Sequence, residues 1–166
     1  MAASSTNKRV LIVRFDREPL SGVVNPQTLV AGDRIELLQH GGTFHSVLVS
    51  ETKAICFVKD LPTSEVWKPN RFFAVRPKME GLWLRLKFRD EDSMDGVTPN
   101  NLLVLEPEGF SVVPPDPSFL NQRIFVPRTS LVETQVLGVI GSPLRRGVPA
   151  RKKPVPAEQI ELFEAS

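Results

Sequence analysis

Arg9–Phe15 has the sequence RVLIVRF, and Leu82–Phe88 repeats its pattern of apolar and basic residues as LWLRLKF. Both stretches are too short for a stable helix and rich in apolar residues, so each predicts a buried strand. A glycine follows each of them at a similar distance, Gly22 after the first and Gly96 after the second. We expect these glycines to let a strand bend where a side chain would clash.

The same order of short strands follows each opening. The corresponding pairs are Asp33–Leu38 with Gly109–Val113, Ser46–Val49 with Arg123–Val126, and Lys53–Lys59 with Leu131–Leu137. A plan that recurs in this way predicts an internal repeat. Because each half is small, closing its bent sheet would remove the exposed edges, and packing two halves together would add burial. The expected fold is therefore all-β, with two tandem small SH3-like or Sm-like barrels.

The expected division places the first barrel at residues 9–60, a connection at 61–81, the second barrel at 82–141 and a disordered basic tail at 142–166. The connection is rich in proline and contains Trp67, Phe72 and Phe73. These aromatic residues favour a connection that is pinned onto the barrels. The alternative is an aromatic platform for a nucleotide base, with the flanking Arg71 and Arg76 binding its phosphates.

The composition of the 166 residues excludes several classes of site. A single cysteine rules out an internal disulfide framework and a cysteine-based zinc site. His40 and His45 have no obvious nucleophile beside them, and Cys56 lies in an apolar strand, where a thiol behaves as a small hydrophobe. No apolar run approaches the roughly 20 residues of a membrane span, and the first residues lack the apolar core of a signal peptide. We expect a cytoplasmic protein that is not an enzyme and has no catalytic residues, metal or cofactor.

An acidic cluster surrounds Ser93. Asp90, Glu91, Asp92 and Asp95 could serve a divalent cation. Carboxylates and glycine are also common turn residues, and this favours a solvated hairpin loop.

Arg71 and Arg76, together with Glu91, Ser93 and Gly96, resemble the two motifs of PilZ-type cyclic-dinucleotide receptors. Those receptors carry RxxxR and a later Asp/Asn-x-Ser-x-x-Gly. Here the arginines are one residue further apart, and Glu91 replaces the Asp or Asn. The resemblance implies an alternative nucleotide-binding site at Arg71, Arg76 and Ser93.

KAICFVKDL at Lys53–Leu61 resembles a signature of an uncharacterised bacterial family, whose members also repeat their opening strand. They end with a stretch similar to PPDPSFLNQRIFV at Pro114–Val126. The chain departs from the pattern at Cys56, where members have an aromatic, and at Phe119-Leu120. The resemblance covers about residues 9–137, and it implies a β-barrel architecture and no particular activity.

The net charge of +2 belongs to the end of the chain, since residues 1–141 hold 16 basic and 16 acidic side chains. The segment 142–157 is rich in proline and basic residues, so we expect it to be disordered. Nonspecific contact with DNA or another polyanion is expected from its basic side chains. These are Arg145, Arg146, Arg151, Lys152 and Lys153.

Apolar residues return at Gln159–Phe163, whose sequence QIELF resembles the peptide that docks partners on the bacterial DNA sliding clamp. The resemblance implies partner binding through Gln159, Ile160, Leu162 and Phe163, and the expected function is therefore a noncatalytic bacterial adaptor. One alternative is a short terminal helix that packs back onto the barrels with Ile160 and Phe163 on one face. Another is a basic run that contacts anionic lipid or RNA.

Overall fold

The computed structural model describes residues 7–60, 70–115 and 121–141, and this part of the chain is all-β, as predicted. Its only helical elements are four short 3-10 turns, at Pro26–Thr28, Val49–Glu51, Leu102–Val104 and Arg128–Ser130. The strands are β1 (Lys8–Arg14), β2 (Leu20–Val24), β3 (Arg34–Leu38), β4 (Phe44–Leu48), β5 (Thr52–Val58), β6 (Gly81–Phe88), β7 (Ser93–Thr98), β8 (Gly109–Val112), β9 (Asn121–Pro127) and β10 (Leu131–Ile140).

The strands form two antiparallel sheets. The larger has seven strands in the order β4-β3-β2-β1-β5-β9-β8, and the smaller has three in the order β10-β6-β7. An isolated bridge between Val97 and Val113 links β7 to the segment that ends β8, and so brings the two sheets together.

The strand order repeats between the two halves of the chain. In the first half β5, β1, β2, β3 and β4 are successive neighbours, and in the second β10, β6, β7, β8 and β9 follow the same order, with the Val97–Val113 bridge joining β7 to β8. The first half has a matching single pair, Val23 with Leu38, between β2 and β3. In both halves, a 3-10 turn precedes the last strand directly. The strands of the two halves therefore follow the same order of neighbours.

The halves are joined by the pairing of β5 with β9, so the seven-stranded sheet contains strands from both halves. The reason lies in the side chains of these two strands, which are apolar on both faces. Ile55 and Phe57 of β5 face a first core, together with Phe125 of β9. Cys56 of β5 and Ile124 of β9 face a second core, which also takes Leu84, Leu86 and Phe88 from β6. The β5–β9 pair is thus a shared wall between the two cores.

Gly22 and Gly96 occupy matching positions where two strands approach closely. A Cβ atom added at Gly22 would lie 2.5 Å from the carbonyl oxygen of Leu38, and one at Gly96 would lie 2.7 Å from the Cβ of Val112. Distances this short require the neighbouring strand to move, so a glycine is needed at both places. The close approach predicted from the spacing of the glycines is present in each half.

Candidate functional site

The hairpin between β6 and β7 carries the acidic cluster that the sequence singles out, Asp90, Glu91, Asp92 and Asp95. Its turn is held by the backbone, since the Glu91 N–H donates to the Phe88 carbonyl at 3.1 Å and Glu91 adopts a φ of 66°. The Ser93 N–H donates to Oδ1 of Asp92 at 3.0 Å, and this fixes the direction of that carboxylate. The turn therefore presents Asp90 and Asp92 on one side as a rigid pair.

Four of the charged residues at this hairpin form a network, which we call the hairpin cluster: Lys53, Arg71, Asp90 and Asp92. Nζ of Lys53 lies 2.6 Å from Oδ2 of Asp90 and 2.9 Å from Oδ2 of Asp92. The Arg71 guanidinium donates to Asp92 from the other side. Because Lys53 lies on β5 and the two carboxylates on the β6–β7 turn, the cluster ties the hairpin of the second half to the first half.

The hairpin cluster is partly buried, and this affects the pKa of Asp92. The Lys53 side chain is 17% exposed and its ammonium lies 4.9 Å from the centre of the Phe88 ring, a cation–π contact. Burial by itself would raise the pKa of Asp92. The hydrogen bond and charge of Lys53, the Ser93 N–H and the charge of Arg71 outweigh it, so the pKa of Asp92 lies below its ordinary value.

We predict that Lys53→Met lowers the free energy of unfolding at pH 7 by about 1 to 3 kcal/mol, since it removes a mostly buried cation that two carboxylates share. Asp92 then keeps only Arg71 as a cationic partner. A depressed folded-state pKa stabilises the fold above the unfolded value of about 3.9, and this contribution disappears as the pH falls through the folded pKa. The difference between wild type and variant should therefore shrink below about pH 4.

Urea unfolding of both proteins at pH 7 and pH 3 measures this difference. Lys87→Met is the matched control, because Lys87 is an exposed lysine on β6, one of the two strands of the hairpin that carries Asp90 and Asp92. A difference between wild type and Lys53→Met that stays constant with pH would contradict the assignment of Asp92 as the linked group.

Asp95 is fully buried, which corrects the expectation that it belongs to a solvated loop. It lies within strand β7, directly opposite Arg85 of β6. Arg85 Nε donates to Asp95 Oδ1 at 2.8 Å and its Nη2 to Oδ2 at 3.2 Å, while the Trp83 indole N–H donates to Oδ2 at 3.2 Å. The hydrogen bond to Asp95 raises the pKa of Arg85, although burial opposes it. Three hydrogen bonds from two side chains therefore satisfy this buried carboxylate.

The described part of the aromatic connection packs against the same pair of strands. The Phe72 ring stacks with the Arg85 guanidinium at 5.2 Å, and the Phe73 ring meets Trp83 edge to face at 6.1 Å. The Arg71 carbonyl accepts from the Asp95 N–H at 2.7 Å. These contacts agree with a connection that is pinned onto the second half. Trp67 lies outside the described residues.

The residues of the alternative nucleotide site separate into two places. Arg71 and Ser93 meet at the Asp92 carboxylate, which accepts from both. Arg76 instead donates to the Val139 carbonyl of β10 at 2.9 Å. Both guanidinium groups are therefore engaged with the protein itself.

The remaining candidates for chemistry do not converge. His40 and His45 are exposed at the β3–β4 hairpin, and Cys56 is buried in β5. Within residues 7–60, 70–115 and 121–141, no group of three or more His, Cys, Asp or Glu residues is placed to hold a metal ion. In these same ranges no helix has the length and hydropathy to cross a membrane.

Exposed apolar side chains, by contrast, are concentrated in a few places. The turn Leu102–Val104 presents three of them, with Leu103 94% exposed. Strand β10 presents Val132, Val136, Leu137 and Val139, and Phe44 is exposed on β4. Contiguous exposed apolar patches of more than about a few hundred Å² are typical of surfaces that bind other molecules. The sequence alone does not reveal these residues, because an exposed apolar side chain in a strand or a turn has the same sequence pattern as a buried one.

The basic residues Arg145–Lys153 and the peptide Gln159–Phe163 lie outside the described residues. A family with the description "Family of unknown function (DUF6982)" matches residues 6–138. No curated protein and no solved structure matches the chain. The family match ends before residue 142, so the C-terminal peptide is not part of what defines the match.

Proposed function

This chain belongs to the DUF6982 family of unknown function, and we propose that it is a noncatalytic cytoplasmic adaptor that docks a partner through its C-terminal peptide. The partner we propose is the bacterial DNA sliding clamp. The main support for this proposal is the sequence QIELF at Gln159–Phe163, in which Gln159, Leu162 and Phe163 match the clamp-docking peptide. The single cysteine is in keeping with a reducing compartment.

The state of the charged groups supports a binding role over a catalytic one. Asp95 has three donors, and Asp90 and Asp92 are bound to Lys53. Groups held in this way stabilise the fold and are poorly placed to exchange protons with a substrate. The proposal therefore assigns the described residues the role of a scaffold.

The physical case for the peptide rests on its composition. Leu162 and Phe163 are large apolar side chains that would act as anchors in a pocket of the partner, and the Gln159 amide would donate and accept hydrogen bonds at the rim. A peptide that orders on binding loses entropy, so we expect a micromolar dissociation constant. The tether would raise the local concentration of the scaffold at the clamp.

The basic run before the peptide fits the same proposal. Arg145, Arg146, Arg151, Lys152 and Lys153 precede the peptide by only a few residues. Beside a clamp that encircles DNA, they would contact phosphates and add salt-dependent affinity without reading sequence.

We further propose that each half of the scaffold is a small barrel of the SH3 or Sm type. The support is the shared order of neighbours, in which the last strand of each half lies beside its first. Two such barrels in tandem would share the β5–β9 pair as a common wall.

We predict that Leu162→Ala with Phe163→Ala weakens binding of the full chain to purified clamp by at least about 100-fold, as measured by calorimetry. The matched control is Val148→Ala with Val155→Ala, which removes apolar groups from the same segment outside the peptide. The proposal fails if the wild type gives no heat with the clamp, or if the peptide variant binds as tightly as the control.

A receptor for a cyclic dinucleotide is the alternative that the meeting of Arg71 and Ser93 at Asp92 keeps open. It would require Arg71 to release Asp92, and Arg76 to release the Val139 carbonyl. Calorimetry with cyclic di-GMP separates this alternative from the adaptor.

A further inference from the structure

The pairing of β5 with β9 joins two strands that occupy different places in the repeat. The strand that follows a 3-10 turn, β5, comes from the first half, and the strand that precedes one, β9, comes from the second. They run antiparallel, with Ile55 opposite Phe125, Cys56 opposite Ile124 and Phe57 opposite Arg123. The Arg123 guanidinium covers the Phe57 ring at 4.7 Å.

The counterparts of these two strands lie at the outer edges of the sheets. Strand β10 follows the turn Arg128–Ser130 as β5 follows Val49–Glu51, and it is the outer strand of the small sheet. Strand β4 precedes Val49–Glu51 as β9 precedes Arg128–Ser130, and it is the outer strand of the large sheet. Within the described residues, each has a neighbour on one side only. Strands β10 and β4 are therefore second copies of β5 and β9, and within the described residues their outer edges are not paired with another strand.

We propose that copies of this chain associate head to tail, with β10 of one copy pairing antiparallel with β4 of the next. Each contact repeats the β5–β9 junction between molecules. Because the two edges are different surfaces, the contact is heterologous and extends beyond a dimer, into a ring or a filament. The inference does not depend on the C-terminal peptide.

The register follows from the repeat. Val10 of β1 pairs with Gly22 and Leu84 of β6 pairs with Gly96, so these two residues are equivalent in the structure. Phe57 opposes Val10 and Val136 opposes Leu84, so Val136 is the counterpart of Phe57. On the other strand, aligning the two 3-10 turns makes Phe44 the counterpart of Arg123. The transferred register therefore places Val136 opposite Phe44.

The side chains that this register brings together are complementary. Val136 is 60% exposed and Phe44 is 75% exposed, and each would cover the other. The next two pairs are polar on both sides: Gln135 with His45, and Thr134 with Ser46. An exposed strand edge also offers its free N–H and C=O groups to such a partner. The register thus pairs apolar with apolar and polar with polar side chains at three successive positions.

Sedimentation of the full chain from about 1 to 500 µM tests the proposal. A contact along one strand edge is small, so we expect its dissociation constant to be on the order of 10 to 100 µM. The wild type should exceed the mass of a dimer at the upper end of this range. Phe44→Lys blocks one edge and Val136→Lys blocks the other, so each variant alone should remain monomeric. Mixed in equal amounts, they should form dimers and stop there, because only one edge of each is intact.

Val132→Lys is the matched control, as Val132 is a 63% exposed valine on the same strand outside the transferred pairs. It should associate like the wild type. A wild type that is monomeric throughout, as when the chain's own residues 142–166 cover β10, overturns the proposal. Association of either blocked variant by itself overturns it too, because it would mean that like edges pair. A mixture of the blocked variants that stays monomeric also overturns it.

Discussion

Phe125→Ala is expected to lower the free energy of unfolding by about 3 to 5 kcal/mol, the usual cost of removing a large side chain from a packed core. Phe125 is 1% exposed and belongs to the first core, although its strand β9 comes from the second half of the chain. Its neighbours on the strand, Ile124 and Val126, face the second core. The variant therefore leaves a cavity in the shared wall, and both halves should lose stability together.

Urea unfolding followed by two probes measures this effect. In a Trp67→Phe background, tryptophan fluorescence reports on Trp83 in the second half, and far-ultraviolet circular dichroism reports on all strands. We expect the two transitions to coincide in wild type and variant, as they do in a two-state unit. Leu103→Ala is the control and should change stability little, since Leu103 is 94% exposed. Separate transitions for the two probes, or a loss below 1 kcal/mol, would contradict the shared wall.

Much of the strand arrangement follows from local patterns in the sequence. Alternation in Arg9–Phe15 and Leu82–Phe88 predicts β1 and β6, which lie within one residue of these bounds. Strands β2 and β7 are harder to recognise, because Gly22 and Gly96 interrupt them and glycine is also a turn residue. The position of Asp95 shows the limit, since a carboxylate is read as solvated unless its buried donors are known.

The pairing of β5 with β9, which joins the two halves, could not be predicted from the sequence. KAICFVK contains the signal, because a strand that is apolar on both faces is covered on both faces. The sequence does not say which strand covers its edge, since that depends on contacts far apart along the chain. The apolar run IFV at residues 124–126 carries the same signal in β9. The two apolar runs indicate two buried strands, but that they pair with each other is known only from the strand order of the structure.

Arg85→Met is expected to lower the free energy of unfolding by about 3 kcal/mol, the scale for leaving a buried carboxylate without its cation. Asp95 has no exposed surface, and Arg85 supplies two of its three donors. Methionine keeps much of the packing of the arginine stem but donates nothing. The Trp83 indole alone would then have to satisfy a buried carboxylate. The Phe72 ring would also lose the guanidinium on which it stacks.

The double variant Arg85→Met with Asp95→Val separates the cost of the orphaned charge from the loss of the pair. Replacing both partners by apolar groups of similar size removes the uncompensated carboxylate, so we expect it to recover part of the stability lost by Arg85→Met. A Lys87→Met variant serves as the control for removing an exposed cation from the same strand and should change stability by less than about 0.5 kcal/mol. If the double variant is less stable than Arg85→Met, the buried charge is not the source of the loss. The Arg85 side chain would then act through its contact with Phe72, and the pair would serve to hold the connection on the second half.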